Sequence, residues 1–492
     1  RDRSVSRGLG DVYKRQDMNI KNYILIASLA CACSSCELLQ PNEIINPNVD
    51  EDTFLKTPNA MSTWVNGANR SFATIIGSYV ELTEILSDNY FNNYSQSSKV
   101  FDFPTILYTD IDVTNLQRHV GTLRETAIQG LEVVAKADAT TTDEQRYNLY
   151  YIKGYSYLLA GEYFRALPVE NGGEVKGWKE NLNLAISTFT EALKFTSDTD
   201  ETAFINTLIA RAYYRLGDKV NAVKYASNVL TLSTDFTKQV TFDGENNVIS
   251  SIQGYIYGTN FQPLPRLDFL DPKYFQTKAK EARPICIAKA EEPYLILAEA
   301  ALADNDVNGA KGFLKTLLTL VSNRPVATDI NDQLEGRYNG GYKEYPNSSE
   351  YRVAASSEDE FRSGLVLDRQ SPHLISVPYI SGTSVTEEMI DAPTTVDGLL
   401  EVLYLMRQEI FMAEGRRAAD LGIRFPVCET EAANTPSAAE YTTAQIPSFI
   451  PLNQDMDAFE MDKEAKTVVI KYNMNRIIVQ NKSSEYVAPF FN

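Results

Sequence analysis

The residues able to do chemistry are unevenly spread along this chain of 492 residues. Only 2 histidines occur, His119 and His373, which argues against a histidine-rich metal site. Of the 5 cysteines, Cys31, Cys33 and Cys36 crowd together near the start, while Cys286 and Cys428 stand far apart. Asp and Glu number 65 against 46 Lys and Arg, a formal net charge of −19. That balance argues against a nucleic-acid binder, which needs a basic face to neutralise phosphates. A glycosidase would need two carboxylates flanking a bond, and no acidic pair here sits in a recognisable motif. No Gly-x-Ser-x-Gly, His-Glu-x-x-His or phosphate-cradling glycine loop occurs. No catalytic residue, metal ligand or cofactor is therefore expected, and the chain reads as a non-enzyme. Asp304-Asn305-Asp306 offers oxygen ligands but lacks the glycine and terminal glutamate of a calcium loop, and it reads first as a turn between helices.

The crowded cysteines carry a different chemistry. After Met18, Lys21 supplies a positive segment and Tyr23 to Ala30 an apolar one, too short to span a bilayer, which takes about 20 residues. Small residues and cysteines follow at once, the pattern of a lipoprotein signal in which the mature chain starts at a cysteine carrying lipid. Cys36, preceded by Ser34-Ser35 and followed by Glu37, is the expected lipidation site, with Cys31 and Cys33 as alternatives. The basic stretch Arg1 to Asp17 has no apolar periodicity and reads as a non-native leader, or else as a genuine basic extension. The expected organisation is a leader over 1–17, a signal peptide over 18–35, an extended tether over 36–60 and a ligand-binding body over 61–492. Removing residues 1–35 makes the chain more acidic still. Cys286 and Cys428 read as two separate buried thiols rather than a pair.

The elements that must position any binding chemistry are mainly helical. Tyr147, Tyr150, Tyr151, Gly154, Tyr157, Leu158 and Gly161 recur at three- and four-residue spacings, one apolar stripe over 145–166. Residues 182–195 repeat the period. Residues 203–230 and 292–321 each read as two short helices around a turn, at Leu216-Gly217-Asp218 and Asp304-Asn305-Asp306. Small Ala and Gly alternating with Tyr and Leu resemble tetratricopeptide repeats, in which small residues admit close approach and large ones fill the gaps. The stretches 236–290 and 323–395 lack that period and read as loop-rich insertions long enough to be functional. A last helix is expected over 396–421. Val468 to Ile470 and Ile477 to Val479, around Asn473-Met474-Asn475, read as a strand pair.

Aromatics are plentiful: 28 Tyr and 22 Phe against 2 Trp. Aromatic faces stack on sugar C–H surfaces, and Asn, Asp, Gln and Arg satisfy hydroxyls. Asp88 to Tyr94 has that mixture, which makes Asn89, Tyr90, Phe91 and Tyr94 candidate ligand residues. Tyr255, Tyr257, Tyr342 and Tyr345, in the insertions, are further candidates. Trp64 sits in a helical pattern and reads as core, while Trp178, after Gly172-Gly173, reads as a loop residue and a candidate for exposure. The run Glu414-Gly415-Arg416-Arg417-Ala418-Ala419-Asp420-Leu421 places Arg416 near Glu414 and Asp420, and two helical turns from Glu409. It reads as a salt-bridge network locking the last helix to the scaffold, with a clamp for a ligand carboxylate as the rival reading.

Taken in order, these features resemble the SusD/RagB-type nutrient-binding outer-membrane lipoproteins. Cys36-Glu37, Glu84 to Asn89, the aromatic helix running into Phe164-Arg165-Ala166-Leu167-Pro168, Leu297-Ala298-Glu299-Ala300 and Asn323-Arg324 follow the family's pattern. Arg407-Gln408-Glu409 with Glu414 to Leu421 is the most specific match. The chain departs from the pattern at Gln408, at Gly422 to Phe425, and in its C-terminal portion. The resemblance implies a mainly α fold: irregular tetratricopeptide-like helix pairs as a scaffold, loop-rich insertions and minor β structure. It also implies an outer-membrane protein, lipid-anchored and facing outward, that captures oligosaccharides and delivers them to a TonB-dependent SusC-like transporter without doing chemistry. A peptide-binding relative and a non-catalytic interaction scaffold are the alternatives. The region after the Ser87-Asp88 helix end is one where such relatives carry ligand-contacting aromatics.

Overall fold

Helix ends in this chain are set by short polar side chains. Thr142 Oγ1 accepts from the Gln145 amide at 3.2 Å, while Gln145 Oε1 accepts from the Thr142 amide at 2.9 Å, a reciprocal cap that starts α3 (Asp143–Tyr163). Asp198 caps α5 (Thr199–Leu216) by accepting from the Glu201 amide at 2.9 Å, and α5 stops at Gly217, whose φ of 75° is left-handed. Asp218 then starts α6 (Lys219–Leu232), and Asp306 starts α9 (Val307–Ser322). Thus Asp306 acts as a helix cap, and Asp304 pairs with Lys219.

The computed structural model describes residues 51–93, 99–258, 260–274, 276, 280–331, 344–370, 372–451, 456–487 and 489–491. Two units separate, Arg1–Thr57 and Pro58–Asn492. In the first, Glu51–Leu55 forms a short helix within the segment expected to be extended; Cys31, Cys33 and Cys36 lie outside the described residues.

In the second unit the helices α1 (Ala60–Ile85), α2 (Ile111–Gln129), α3, α4 (Trp178–Ala192), α5 and α6 follow one another. After α7 (Ser251–Tyr257) come α8 (Glu291–Ala303), α9, α10 (Glu387–Asp391), α11 (Val396–Ile410), α12 (Arg417–Asp420), α13 (Glu429–Asn434) and α14 (Met474–Gln480). Neighbours pack in sequence: α3 on α4, α4 on α5, α5 on α6, α6 on α8, α8 on α9 and α11. The Tyr-rich stripe of α3 approaches α4 closely because it carries two glycines. A Cβ at Gly154 would stand 2.5 Å from the Phe189 ring, and one at Gly161 2.5 Å from Leu182. Phe72, Tyr151 and Phe204 meet edge to face around this stripe. The fold is mainly α, with tetratricopeptide-like helix pairs.

The insertions hold short strands. β1 (Tyr90–Asn92) pairs antiparallel with β5 (Phe261–Pro263), β2 (Ala166–Pro168) with β3 (Val175–Gly177), β4 (Thr237–Val240) with β6 (Ile285–Lys289) and β7 (Val326–Asn331) with β9 (Leu374–Pro378). β11 (Thr467–Ile470) lies between β10 (Phe459–Asp462), antiparallel, and β8 (Arg352–Ala354), parallel. Cys286, on β6, is buried, as is Cys428, and neither is in a disulfide.

Two expectations are corrected. Residues 477–479 belong to helix α14 rather than to a strand. Asn473 caps α14 by accepting from the Arg476 amide at 3.3 Å, and Ile478 and Val479 are buried. The expected last helix breaks after Ile410, where Ala413 and Gly415 take left-handed φ of 58° and 71°; α12 resumes after the break.

Candidate functional site

The signature run folds into a buried ionic network. Arg407 on α11 donates from Nε and Nη2 to Asp420 at 2.8 and 3.0 Å, and Arg215 on α5 donates to Asp420 Oδ1 at 2.7 Å and to Glu162 on α3 at 3.1 Å. Arg416 and Arg211 share Glu292, the first at 2.6 Å, the second at 2.9 and 2.6 Å. Arg417 takes both oxygens of Asp88, at 2.5 and 3.0 Å. Glu414 is met by Lys273 and Lys289, and the Gly415 amide donates to Glu84 at 2.7 Å. Burial works against the charged forms of Glu292, Asp420 and Asp88. At Glu292 the Arg211 and Arg416 guanidinia overcome it and hold the group at about 2. Arg407 and Arg215 hold Asp420 well below its ordinary range, and Arg417 lowers Asp88. Helices α1, α3, α5, α8, α11 and α12 are joined by these pairs, as the structural reading of the run expected. The expected partners differ: Arg416 binds Glu292 rather than Glu414 or Asp420, and Glu409 is turned to Thr383 and Ser384. The helix break after Ile410 is the reason, since it takes Glu409 and Arg416 off a common face.

The residues picked out for ligand stacking scatter. Asn89, Tyr90, Phe91 and Tyr345 are buried, so their faces are not offered to a ligand in this structure. Asn89 donates to Glu84 at 2.8 Å and accepts from Gln408 at 2.9 Å. Phe91, Tyr345 and Phe459 form an aromatic cluster with centroids 5.9 to 6.2 Å apart. The structure therefore brings Phe91 and Tyr345 together, but as packing. Tyr255 is half-buried and stacks on Phe261 at 4.7 Å, whereas Tyr257 is 43% exposed. Tyr94 and Tyr342 lie outside the described residues.

Among the described residues of the second unit, three clefts are wide enough to bear on ligand binding. The largest, 560 Å³, lies between α2 and the loop after β2, with Arg118, Glu125, Glu170 and Cys428 among its walls. A second, of 420 Å³, runs along α11 between residues 355–362 and 473–475. The third, 290 Å³, combines the half-buried Trp178 with Tyr441, Arg165, Lys179, Glu180 and Gln445. There the Trp178 ring lies 4.0 Å from the Arg424 guanidinium, and the Arg165 guanidinium sits over Tyr441 at 5.6 Å. Trp178 was legible by residue type; Tyr441 was not, because it sits in a Ser-, Ala- and Thr-rich stretch without periodicity.

Neither a family model nor a curated protein sequence matches the chain. Among solved structures, a SusD-like protein from Bacteroides fragilis is similar at 11% identity and a TM-score of 0.51, with 79% of this chain and 97% of that one covered. A SusD-like carbohydrate binding protein from Bacteroides vulgatus gives a TM-score of 0.47 at 12% identity, covering 73% and 82%. The extent of the first superposition shows the architecture of this chain to be the SusD-like fold.

Proposed function

We propose that this protein is a non-catalytic surface lipoprotein that binds oligosaccharides and delivers them to a TonB-dependent SusC-like transporter in the outer membrane. The observation that carries the reading is the coincidence, in one chain, of the SusD-like fold with a lipoprotein-type cysteine cluster ahead of the folded body. The resemblance of Arg407 to Leu421 to the family's signature supports it, since these residues build the network that fixes the scaffold. Of the described clefts, the one at Trp178 and Tyr441 offers what a sugar needs: aromatic surface rimmed by Arg165, Lys179, Glu180 and Gln445. Tyr255 and Tyr257 are the sequence candidates that retain exposed ring surface.

Isothermal titration against a glycan panel, with a peptide panel beside it, tests the reading. Trp178→Ala is expected to weaken the best glycan at least about tenfold, or about 1.4 kcal/mol. Binding of peptides alone would move the ligand class to the peptide alternative. Hydrolysis of an oligosaccharide by the purified protein would overturn the non-catalytic reading. Capture of a partner other than a transporter, with no small ligand bound, would favour the scaffold alternative.

A further inference from the structure

The cleft along α11 has a different chemistry. Its three most buried lining residues are Arg266, Asn473 and Asn475, which form its floor. Met389, Val402 and Leu405 supply apolar wall, and no aromatic side chain lines the cleft among the described residues. Arg266, 5% exposed, has no carboxylate at hydrogen-bonding distance. Asp88 Oδ2 stands 3.8 Å away, already engaged by Arg417 and Gln408, and among the described residues the Arg266 guanidinium donates only to Gln408 Oε1. Its Nε has no acceptor among the described residues. Asn475, 1% exposed, donates to that same Gln408 oxygen at 3.1 Å, so the two side chains are neighbours, and Asn475 Oδ1 has no donor among the described residues. Of the acids on the rim, Asp359 and Glu401 pair with Arg476 at 2.6 and 3.1 Å, and Glu360 is exposed to solvent; Arg362, also on the rim, donates to the Ser384 carbonyl.

A buried cation short of an anion and a buried carbonyl short of a donor, side by side next to aliphatic wall, complement one chemical pattern. We propose that this cleft receives an aliphatic α-amino acid, free or as the C-terminal residue of a peptide. Its carboxylate lies on Arg266, its N–H donates to Asn475 Oδ1, and its side chain packs on Val402, Leu405 and Met389. Burial holds the Arg266 guanidinium below its ordinary range, so an arriving carboxylate supplies charge that the protein leaves unprovided. The assignment stands apart from the glycan reading, which concerns a different surface.

Titration of the full chain with N-acetyl-L-leucine, L-leucine, N-acetyl-L-leucinamide and hexanoate tests it. Saturable binding of either of the first two is expected, the tighter one identifying a peptide end or a free amino acid as the source. The amide lacks the carboxylate and hexanoate the N–H, so each should bind at least about tenfold more weakly. Arg266→Gln should abolish binding. Because Arg266 is buried, Leu405→Trp, which fills the cleft from a half-buried helix face, provides a second variant with the same expected loss at an unchanged circular dichroism spectrum. Equal affinity for acid and amide, binding undisturbed by Leu405→Trp, or no saturable binding at millimolar ligand would each overturn the assignment.

Discussion

At the scale of single residues, Glu299 on α8 shows how burial turns a motif into a titrating group. Tyr214 Oη donates to Glu299 Oε2 at 2.7 Å, while Oε1 has no partner among the described residues. Burial raises this carboxyl from 4.5 to about 7, against the lowering by the Tyr214 hydrogen bond and Arg407. Between those values the folded chain keeps a proton that the unfolded chain has released, so this group's contribution to stability falls as pH rises through the window. Glu299→Gln keeps an acceptor for Tyr214 and removes the charge. It is expected to exceed the parent in stability above pH about 7, by an amount on the order of 3 kcal/mol at about 1.4 kcal/mol per pKa unit. The difference should vanish below about 4.5, and urea unfolding across the window measures it. The sequence showed the glutamate and its place in the helix; it did not show that Tyr214 and Arg407 would surround it, because those contacts are set by helix packing.

At the scale of elements, capped and periodic helices were legible, and departures from them were not. The turn pairs at Gly217 and Asp306 followed from a left-handed glycine and from aspartate caps, both local signals. The helix at 474–480 was missed because Ile477, Ile478 and Val479 favour strands locally, while Asn473 and burial against α11 decide otherwise. The break after Ile410 was missed because Gly415 is one residue among good helix formers, and its role appears only with Thr83 and Val80 beside it. A Cβ there would meet Thr83 Oγ1 at 2.9 Å and Val80 Cα at 3.3 Å on a backbone with φ of 71°. Gly415→Ala is therefore expected to lower the free energy of unfolding by about 1–3 kcal/mol, read as a reduced urea midpoint at unchanged slope. It should do so although the nearest charged pairs keep their partners.

At the scale of the whole molecule, the order of helix pairs made the architecture legible, while the binding surface depends on which aromatics stay outside the core. Tyr90, Phe91 and Tyr345 have the composition of a sugar platform, but packing spends them on the interior; Trp178 and Tyr441 meet only because the β2–β3 hairpin and the segment around residue 441 come together. Among the described residues no helix is long and apolar enough to cross a membrane. The proposed function places anchorage on lipid at Cys36. Cys36→Ala is expected to move the protein from the membrane fraction to the soluble one on cell fractionation; retention would point to Cys31 or Cys33.

Cys286 gives the folded chain a covalent record of its own opening. Burial pushes its thiol up to about 12, and its Sγ donates to the Ala288 carbonyl at 3.3 Å, so almost no thiolate is available to an alkylating reagent. Cys428 lines the open 560 Å³ cleft. Alkylation should thus mark Cys428 first and Cys286 only when the β4–β6 ladder separates, and the second rate, divided by that of a free thiol, gives the fraction of time this ladder spends apart.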